Sequence, residues 1–241
     1  MTSNTTSTTT VNAAHNAAAE DADVDDLPTI LLLGDSLTQL AFEGWGAHLA
    51  NVYQRRADVA NRGCSGYTTE FYKRLPLPPL CNRNKKKVCL VTIFFGANDA
   101  TLPDLNPHHY VSLEDYARNL TELVAAVRTA YHRPSILLIT PPPLDHAQRL
   151  QYQIQRFGTE GATGVLERTT ENTMRYAQAC RRVAQAERVP CVDLMRQMLN
   201  DRADGDVSRF FTTACTFRRR GTPLSVRRWC RPLSITFLPW P

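Results

Sequence analysis

The chain has 241 residues, of which 43% are hydrophobic and 21% are charged, a composition that suits one globular domain with a full core. The net charge is +5, but residues 212–241 hold six arginines and no acidic residue, so the basic character belongs to this segment alone. The distribution of charge therefore argues against a domain that binds nucleic acid through a broadly basic surface.

The chain begins with a low-complexity arm, residues 1–27, which we expect to be disordered. Met1–Asn16 consists mostly of Thr, Asn, Ser and Ala, and five acidic residues follow. The arm offers too little apolar side chain to offset the entropy of ordering. It also lacks the basic start and the apolar stretch of a secretory signal, and no run in the chain is long enough to cross a bilayer. We therefore expect a cytoplasmic protein with no membrane span.

Between residues 28 and 211, apolar runs of strand length alternate with segments of helical periodicity. Thr29–Leu33 is a continuous apolar run, as expected for a strand that is buried on both faces. The other predicted elements, in chain order, are a helix over 43–56, a short strand Val59–Ala60, a strand Val88–Phe95, a helix Leu113–Tyr131, a strand Ser135–Thr140, a helix over 166–187 and a strand Pro190–Leu194. This alternation predicts a three-layer α/β domain, a parallel sheet with helices on both faces.

The periodicity stops after Phe211. Residues 212–241 show neither helical nor strand periodicity, and they contain no amphipathic stretch that could form a closing helix. We therefore separate this segment from the domain over 28–211 and treat it as an aberrant basic tail.

The seven cysteines are scattered and lack the paired spacing of a zinc site or a disulfide framework. Cys89 lies in an apolar run and Cys180 in a helical segment, where a small buried thiol is the simpler interpretation. His108 and His109 are adjacent on a predicted loop without a third ligand, which does not favour a metal. The sequence predicts no metal and no cofactor.

Three predicted strands are each followed by a segment that combines glycine with polar side chains. These segments are Gly34–Leu37 (GDSL), Asn61–Gly66 (NRGCSG) and Gly96–Asp99 (GAND). Because the carboxyl ends of parallel strands lie at one edge of the sheet, the three segments should meet there. A serine on a tight turn into a helix presents its hydroxyl near the positive helix end, and a glycine N–H and an asparagine amide converging there would bind an oxyanion. Each segment alone is a weak signal, and helix capping is the simpler explanation of Gly34–Ser36, but capping does not readily explain all three segments in order at successive strand ends.

These segments resemble the first three blocks of the SGNH (GDSL) hydrolases, over about residues 29–211. The sequences NRGCSGYTT, FFGANDA, SLEDYARNL and ITPPPL are more narrowly similar to the isoamyl acetate-hydrolysing esterase branch, and they lie at 61–69, 94–100, 112–120 and 139–144. The resemblance implies a flavodoxin-like fold and an esterase or lipase-type hydrolase. Such an enzyme would cleave small-molecule esters with short acyl groups through an acyl-serine intermediate, without a cofactor.

The resemblance also assigns roles to individual residues. Ser36 is implied to be the nucleophile. The backbone N–H groups of Ser36 and Gly66 and the side-chain amide of Asn98 are implied to form the oxyanion hole. Asp35 and Asp99 are expected to shape the turns rather than to transfer protons.

The family's fourth block, Asp-x-x-His, is missing from this sequence. In the family the histidine deprotonates the serine, and the aspartate orients the histidine. The last histidine here is His146, before the final predicted strand, and the remaining histidines after the arm match no catalytic position, so we expect surface or core roles for His48, His108, His109 and His132. We therefore assign no catalytic Asp or His and expect a chain that is inactive or impaired as written.

A frameshift after about Phe211 would explain the missing block. If Thr212–Arg218 were encoded ACG ACG GCC TGC ACT TTT CGN, reading from the last base of the first codon gives Asp-Gly-Leu-His-Phe-Ser. The codons of 220–222 can continue as Gly-Asn in that frame, and the resulting peptide resembles the family's fourth block. Arginine-rich sequence without periodicity is also typical of a GC-rich gene read out of frame. We therefore expect residues 212–241 to be out of frame and the family's C-terminal helix to be missing.

Two other functions fit parts of the sequence. A non-catalytic SGNH-like remnant would keep the pocket and the oxyanion hole and would bind esters or anions without a base. A nucleic-acid-binding protein would use the basic tail, but the arginines lie in no recognisable binding module and only Trp229 lies among them. The sequence does not predict an oligomeric state.

Overall fold

The computed structural model describes residues 27–76, 88–161, 164–201, 211–213 and 216–217. All but the last residue of the predicted arm, and most of the predicted tail, lie outside the described residues. The division into arm, domain and tail and the missing C-terminal helix therefore stay predictions.

The described elements follow the alternating pattern that the sequence predicts. The strands are β1 (Thr29–Gly34), β2 (Asp58–Gly63), β3 (Val88–Phe94), β4 (Ser135–Ile139), β5 (Cys191–Val192), β6 (Phe211–Thr213) and β7 (Thr216–Phe217). The α-helices are α1 (Ser36–Gln39), α2 (Trp45–Val52), α3 (Thr69–Tyr72), α4 (Leu113–Ala130), α5 (His146–Gly161), α6 (Thr170–Ala186) and α7 (Leu194–Asn200), and a single 3₁₀ turn spans Ala41–Glu43.

Strands β1 to β5 form one parallel sheet in the order β2-β1-β3-β4-β5. This is the flavodoxin-like strand order, and the predicted three-layer α/β fold is confirmed. In the register, Gly34 at the end of β1 pairs with Gly63 on one side and with Phe94 on the other. The carboxyl ends of β1, β2 and β3 therefore lie side by side. Strands β6 and β7 form a separate antiparallel pair.

The core lies on both faces of the sheet. Leu31 and Leu33 of β1 pack into one cluster with apolar residues of α4 and α6, while Ile30 and Leu32 pack into a second cluster with residues of α2 and α7. All four side chains are fully buried. Successive strand residues point to opposite faces, so a strand covered on both sides has to be apolar throughout, as the sequence of β1 is.

Several short or polar helices were not predicted from the sequence. α1 and α3 have four residues each, which is too short for a periodic pattern, and α5 is largely polar. The predicted strand Pro190–Leu194 is wrong at its end, because α7 begins at Leu194 with the Asp193 side chain accepting from Arg196 N–H at 3.1 Å. Among the described residues, no helix combines the length and the apolar composition that a membrane span requires.

Candidate active site

Ser36 lies at the tight turn between β1 and α1. Asp35 caps the helix, since its Oδ1 accepts from the Leu37 N–H at 2.9 Å. Gly34 is required by close packing, because a Cβ there would lie 2.0 Å from Thr38 Oγ1 and 2.6 Å from the Phe94 carbonyl oxygen. The helix therefore turns back directly over the end of the sheet, with Ser36 as its first residue.

The loop that carries Gly66 is hydrogen-bonded to α1. The Asn61 side-chain amide donates to the carbonyls of Thr38 and Gln39 at 2.7 and 3.1 Å, and the Ser65 N–H donates to Gln39 Oε1 at 2.7 Å. Gly66 itself has a φ of +80°, a left-handed conformation that favours glycine. Gly66 and Ser36 are thus held on adjacent turns.

Asn98 joins this loop to the segment that follows β3. Its Nδ2 donates to the Tyr67 carbonyl at 2.8 Å, and the side chain is 4% exposed. This bond uses one of the two amide hydrogens and fixes the plane of the group, so a second hydrogen remains available for another acceptor. The structure therefore brings together the loops of Ser36, Gly66 and Asn98, the three residues that the sequence singled out.

Ser36 lines an open cleft whose wall comes largely from segments that the sequence did not place at the site. Leu37 and Ala97 lie near Ser36, and the remaining lining residues are Pro142, Pro143, Leu144, Asp145, Arg149, Arg168 and Thr173. The prolines follow β4, in the segment that resembled the esterase branch, so that resemblance was the only sequence signal for them. Nothing in the sequence pointed to Arg149 and Arg168, because a single arginine in a polar segment is ordinarily solvent-exposed.

A buried acid organises the charged side of the cleft. Glu167 is 9% exposed and forms an ion pair with Arg149, and it also accepts from Gln153 Nε2 at 3.0 Å. Burial raises the pKa of Glu167, but the hydrogen bond and the charge of Arg149 outweigh burial and hold the pKa below its usual value. Glu167 is therefore ionised at neutral pH and holds the guanidinium of Arg149 at the cleft.

Asp35 and Asp99 are both fully buried beneath the site. Burial raises the pKa of Asp35 from 3.8 to about 7, with a smaller contribution from the charge of Asp99. Burial likewise raises the pKa of Asp99 to about 6, against the hydrogen bonds from Thr69. In the structure both side chains act as hydrogen-bond acceptors for neighbouring turns, at Leu37 and Thr69 respectively.

His109 lies closer to the predicted oxyanion hole than the sequence suggested. A Cβ at Gly66 would meet its Nε2 at 3.9 Å, and its Nδ1 lies 3.2 Å from Asn106 Oδ1. Burial lowers the pKa of His109, and the positive charge of Arg168 acts in the same direction. The ring is half-buried on the Gly66 side of the site, and an adjacent pair of histidines on a loop gave no sign of this position.

Of the other histidines in the described residues, His108, His132 and His146 are exposed and His48 is half-buried on α2. In the part of the chain that the structure describes, no cluster of three or more His, Cys, Asp or Glu side chains could hold a metal ion.

The comparisons with known proteins agree with this architecture. The model of the GDSL-like Lipase/Acylhydrolase family matches residues 32–213. An isoamyl acetate-hydrolyzing esterase 1 homolog of Bos taurus is 41% identical over 182 residues, which cover 73% of this chain and 70% of the relative. The corresponding protein of Mus musculus is 36% identical over 220 residues, 88% of this chain and 85% of the relative.

Solved structures show the same fold at low sequence identity. A lipase/acylhydrolase from Enterococcus faecalis has a TM-score of 0.60 and 23% identity, and the match covers 86% of this chain and 95% of that one. A variant of an acetyl-xylooligosaccharide esterase from Geobacillus has a TM-score of 0.60 and 19% identity, with 86% and 94% covered. With the family match and these relatives, the chain belongs to the GDSL-like lipase/acylhydrolase family and is an ester-hydrolysing enzyme by family.

Proposed function

We propose that the protein is a carboxylic-ester hydrolase of small-molecule esters with short acyl groups, and that it acts through an acyl-Ser36 intermediate. The observation that carries the proposal is the convergence of the Ser36, Gly66 and Asn98 loops at the carboxyl ends of β1, β2 and β3. The acetate ester named in the mammalian relatives supports a short acyl group.

In this mechanism the Ser36 Oγ attacks the ester carbonyl carbon and the carbonyl oxygen becomes an oxyanion. The N–H groups of Ser36 and Gly66 and the second amide hydrogen of Asn98 stabilise that oxyanion, because fixed dipoles need no reorganisation when the charge develops. The alcohol then leaves with a proton, and water hydrolyses the acyl-enzyme by the same route. Each step requires a base near Ser36.

We further propose that the chain as written lacks this base and is inactive or strongly impaired. No histidine follows His146 in the sequence. The segment in which the family's fourth block is expected lies near α1, since Cα atoms of Thr216–Phe217 are within 8 Å of Cα atoms of α1 and of the neighbouring 3₁₀ turn. A histidine encoded there in another frame would stand beside the helix that begins with Ser36.

The missing base also supports a second candidate, a non-catalytic SGNH-like protein that binds esters or anions. This candidate keeps the cleft and the oxyanion hole and predicts no turnover in any version of the chain. A chain in which the family's fourth block is restored, called the repaired chain below, therefore distinguishes the two candidates, because only the esterase should then hydrolyse esters.

The test compares hydrolysis of p-nitrophenyl acetate and butyrate by three chains. The chain as written should show almost no turnover, since loss of one member of a serine triad costs on the order of 10⁶-fold and the oxyanion hole alone retains about 10³–10⁴-fold over water. A chain in which Asp-Gly-Leu-His and the sequence of that frame replace the tail should hydrolyse both esters. Ser36→Ala in the repaired chain should abolish this activity.

Ser135→Ala provides the matched control, because Ser135 is an exposed serine at the start of β4. It should leave the activity of the repaired chain unchanged. A repaired, folded chain without Ser36-dependent turnover would favour the binding protein. Vigorous Ser36-dependent hydrolysis by the chain as written would show that another group supplies the base.

A further inference from the structure

Two of the three donors of the proposed oxyanion hole, Gly66 and Asn98, come from different loops. Gly66 lies in the loop after β2, and Asn98 lies in the loop after β3. Two donors act on one oxygen only when they are held about 3 Å from the same point, so the relative position of the loops matters. The inference below rests on the proposed function and concerns the residues that set this position.

Two sets of hydrogen bonds join the loops. The first is the bond from Asn98 Nδ2 to the Tyr67 carbonyl, which belongs to the oxyanion residue itself. The second connects the next residue, Asp99, to Thr69, because Asp99 Oδ1 accepts from both the N–H and the hydroxyl of Thr69, at 2.9 and 2.5 Å. Asp99 and Thr69 are both fully buried, so water cannot replace these bonds.

Thr69 is itself held by Asn119 of α4. The Thr69 hydroxyl donates its hydrogen to Asp99 and accepts from Asn119 Nδ2 at 3.1 Å. The other groups of Asn119 are also engaged, since Nδ2 donates to Glu70 Oε2 at 3.2 Å and Oδ1 accepts from Lys73 Nζ at 2.8 Å. Asn119 is fully buried, and its polar groups bond to Thr69 and Glu70 of α3 and to Lys73, which follows α3. Helix α4 therefore holds the Gly66 loop in position through the bond from Asn119 to Thr69.

We propose that Thr69 and Asn119 are positioning residues of the oxyanion hole, which hold the Gly66 loop against the Asn98 loop through Asp99. A buried hydroxyl that donates to one loop and accepts from a helix fixes its partners in direction as well as in distance. Neither residue touches the substrate. A displacement of about 1 Å at a catalytic group can cost on the order of 10²-fold in rate, which makes such support measurable.

The first test measures hydrogen exchange in the chain as written and needs no activity. Thr69→Val keeps the shape of the side chain but removes the hydroxyl, so Asp99 loses one donor and Asn119 loses one of its two acceptors. Amides of residues 64–70 should exchange at least about tenfold faster than in the parent, while those of β3 (Val88–Phe94) should not change. Thr69→Ser restores the hydroxyl and should restore the parent rates.

Thr121→Val is the matched control. Thr121 is exposed on α4, the helix that carries Asn119, and its hydroxyl donates within that helix, to the Ala117 carbonyl at 3.2 Å. It should leave exchange in residues 64–70 unchanged. Equal acceleration throughout the sheet in Thr69→Val would indicate general destabilisation and would overturn the proposal, as would no change in residues 64–70.

The second test uses the repaired chain. Thr69→Val and Asn119→Leu should lower kcat by about 10- to 100-fold with KM nearly unchanged, because the oxyanion forms only in the transition state. Thr69→Ser should keep kcat. A rise in KM at constant kcat would assign these residues to substrate binding and would contradict the proposal. If the repaired chain has no Ser36-dependent activity, the proposed function fails. The exchange experiment still shows whether Thr69 holds residues 64–70 in position.

Discussion

At the scale of single residues, two buried carboxyl groups neighbour residues of the proposed site in the sequence. Asp35 precedes Ser36, and Asp99 follows Asn98. Both accept hydrogen bonds from turns, as expected for residues that shape the site, but burial raises the pKa of both groups. Their ionised forms are therefore unfavourable in the folded protein, and this has a consequence for stability.

The first prediction at this scale is that Asp35→Asn increases stability at neutral pH and has a smaller effect at acid pH. The pKa of Asp35 is about 7 when folded and 3.8 ordinarily, so the folded state binds its proton more tightly. The stability that this proton contributes is complete below about pH 4 and is lost as the pH rises towards 7, by at most about 1.4 kcal/mol per pH unit. Asparagine avoids this loss because it is neutral, and its Oδ1 can still accept from Leu37 N–H.

Urea unfolding of the two proteins between pH 4 and pH 8 measures this effect. The advantage of Asp35→Asn should grow with pH through this window and then level off. Asp193→Asn is the control, because Asp193 caps α7 and pairs with Arg181 at the surface, so its replacement should lower stability instead. An Asp35→Asn advantage that is constant or larger at pH 4 would contradict the pKa assigned to Asp35.

At the scale of secondary-structure elements, α5 forms part of the cleft and is held there by polar contacts. Arg149 and Gln153 both bond to the buried Glu167, and Gln153 Nε2 also lies 3.2 Å from the Val165 carbonyl. Glu167 in turn is anchored to the loop after β3, because its carbonyl accepts from Leu102 N–H at 2.7 Å. One acid thus links the helix to the loops of the site.

We predict that Glu167→Gln loosens α5 and leaves α6 unchanged. The side chains of Arg149 and Glu167 are only 11% and 12% exposed, and loss of one partner of a buried ion pair costs about 3 kcal/mol or more because a charge stays buried. Hydrogen exchange of residues 146–155 should accelerate by at least about tenfold relative to residues 170–186.

Glu187→Gln is the matched control for this prediction. Glu187 pairs with Arg128, whose side chain is 46% exposed, and ion pairs at such sites contribute less than about 1 kcal/mol. This variant should leave exchange in α5 at the parent rate. If both variants have the same effect, the contact with Glu167 does not hold α5.

The elements also show what the sequence could and could not predict. β1, β3 and β4 are largely buried apolar runs, and α4 has a clear apolar stripe, so the sequence pattern was sufficient to predict these four elements. α5 was not predicted although Ala147, Leu150 and Ile154 recur at helical spacing, because most of its residues are polar and Ile154 is exposed. The wall of the cleft was missed because Arg149 and Arg168 come to line the same cleft as Ser36 through the tertiary fold, which leaves no pattern in the sequence.

At the scale of the whole molecule, the segment after α7 does not match the rest of the domain in composition. The family model matches up to residue 213, and residues 212–241 are rich in arginine and lack acids. The short pair β6–β7 nevertheless lies near α1 and the 3₁₀ turn that follows it. A family-like domain therefore continues into a segment of different composition, and the first residues of that segment lie near the helix that begins with Ser36.

The last prediction is that the coding sequence changes frame between Phe211 and Thr213. In the alternative frame the codons of Thr212–Arg218 should spell Asp-Gly-Leu-His-Phe-Ser, and those of 220–222 should continue as Gly-Asn. The amino acids fix two of the three bases in each shifted codon, so the agreement with the family's fourth block leaves only one base per codon open. Sequencing of genomic DNA and of the transcript across this segment shows directly whether the reading frame changes.

The reading frame through residues 190–200 serves as the control, because it encodes the regular elements β5 and α7. Codons that cannot spell this peptide in any frame would disprove the frameshift, and 212–241 would then be a genuine part of a protein without the family's base.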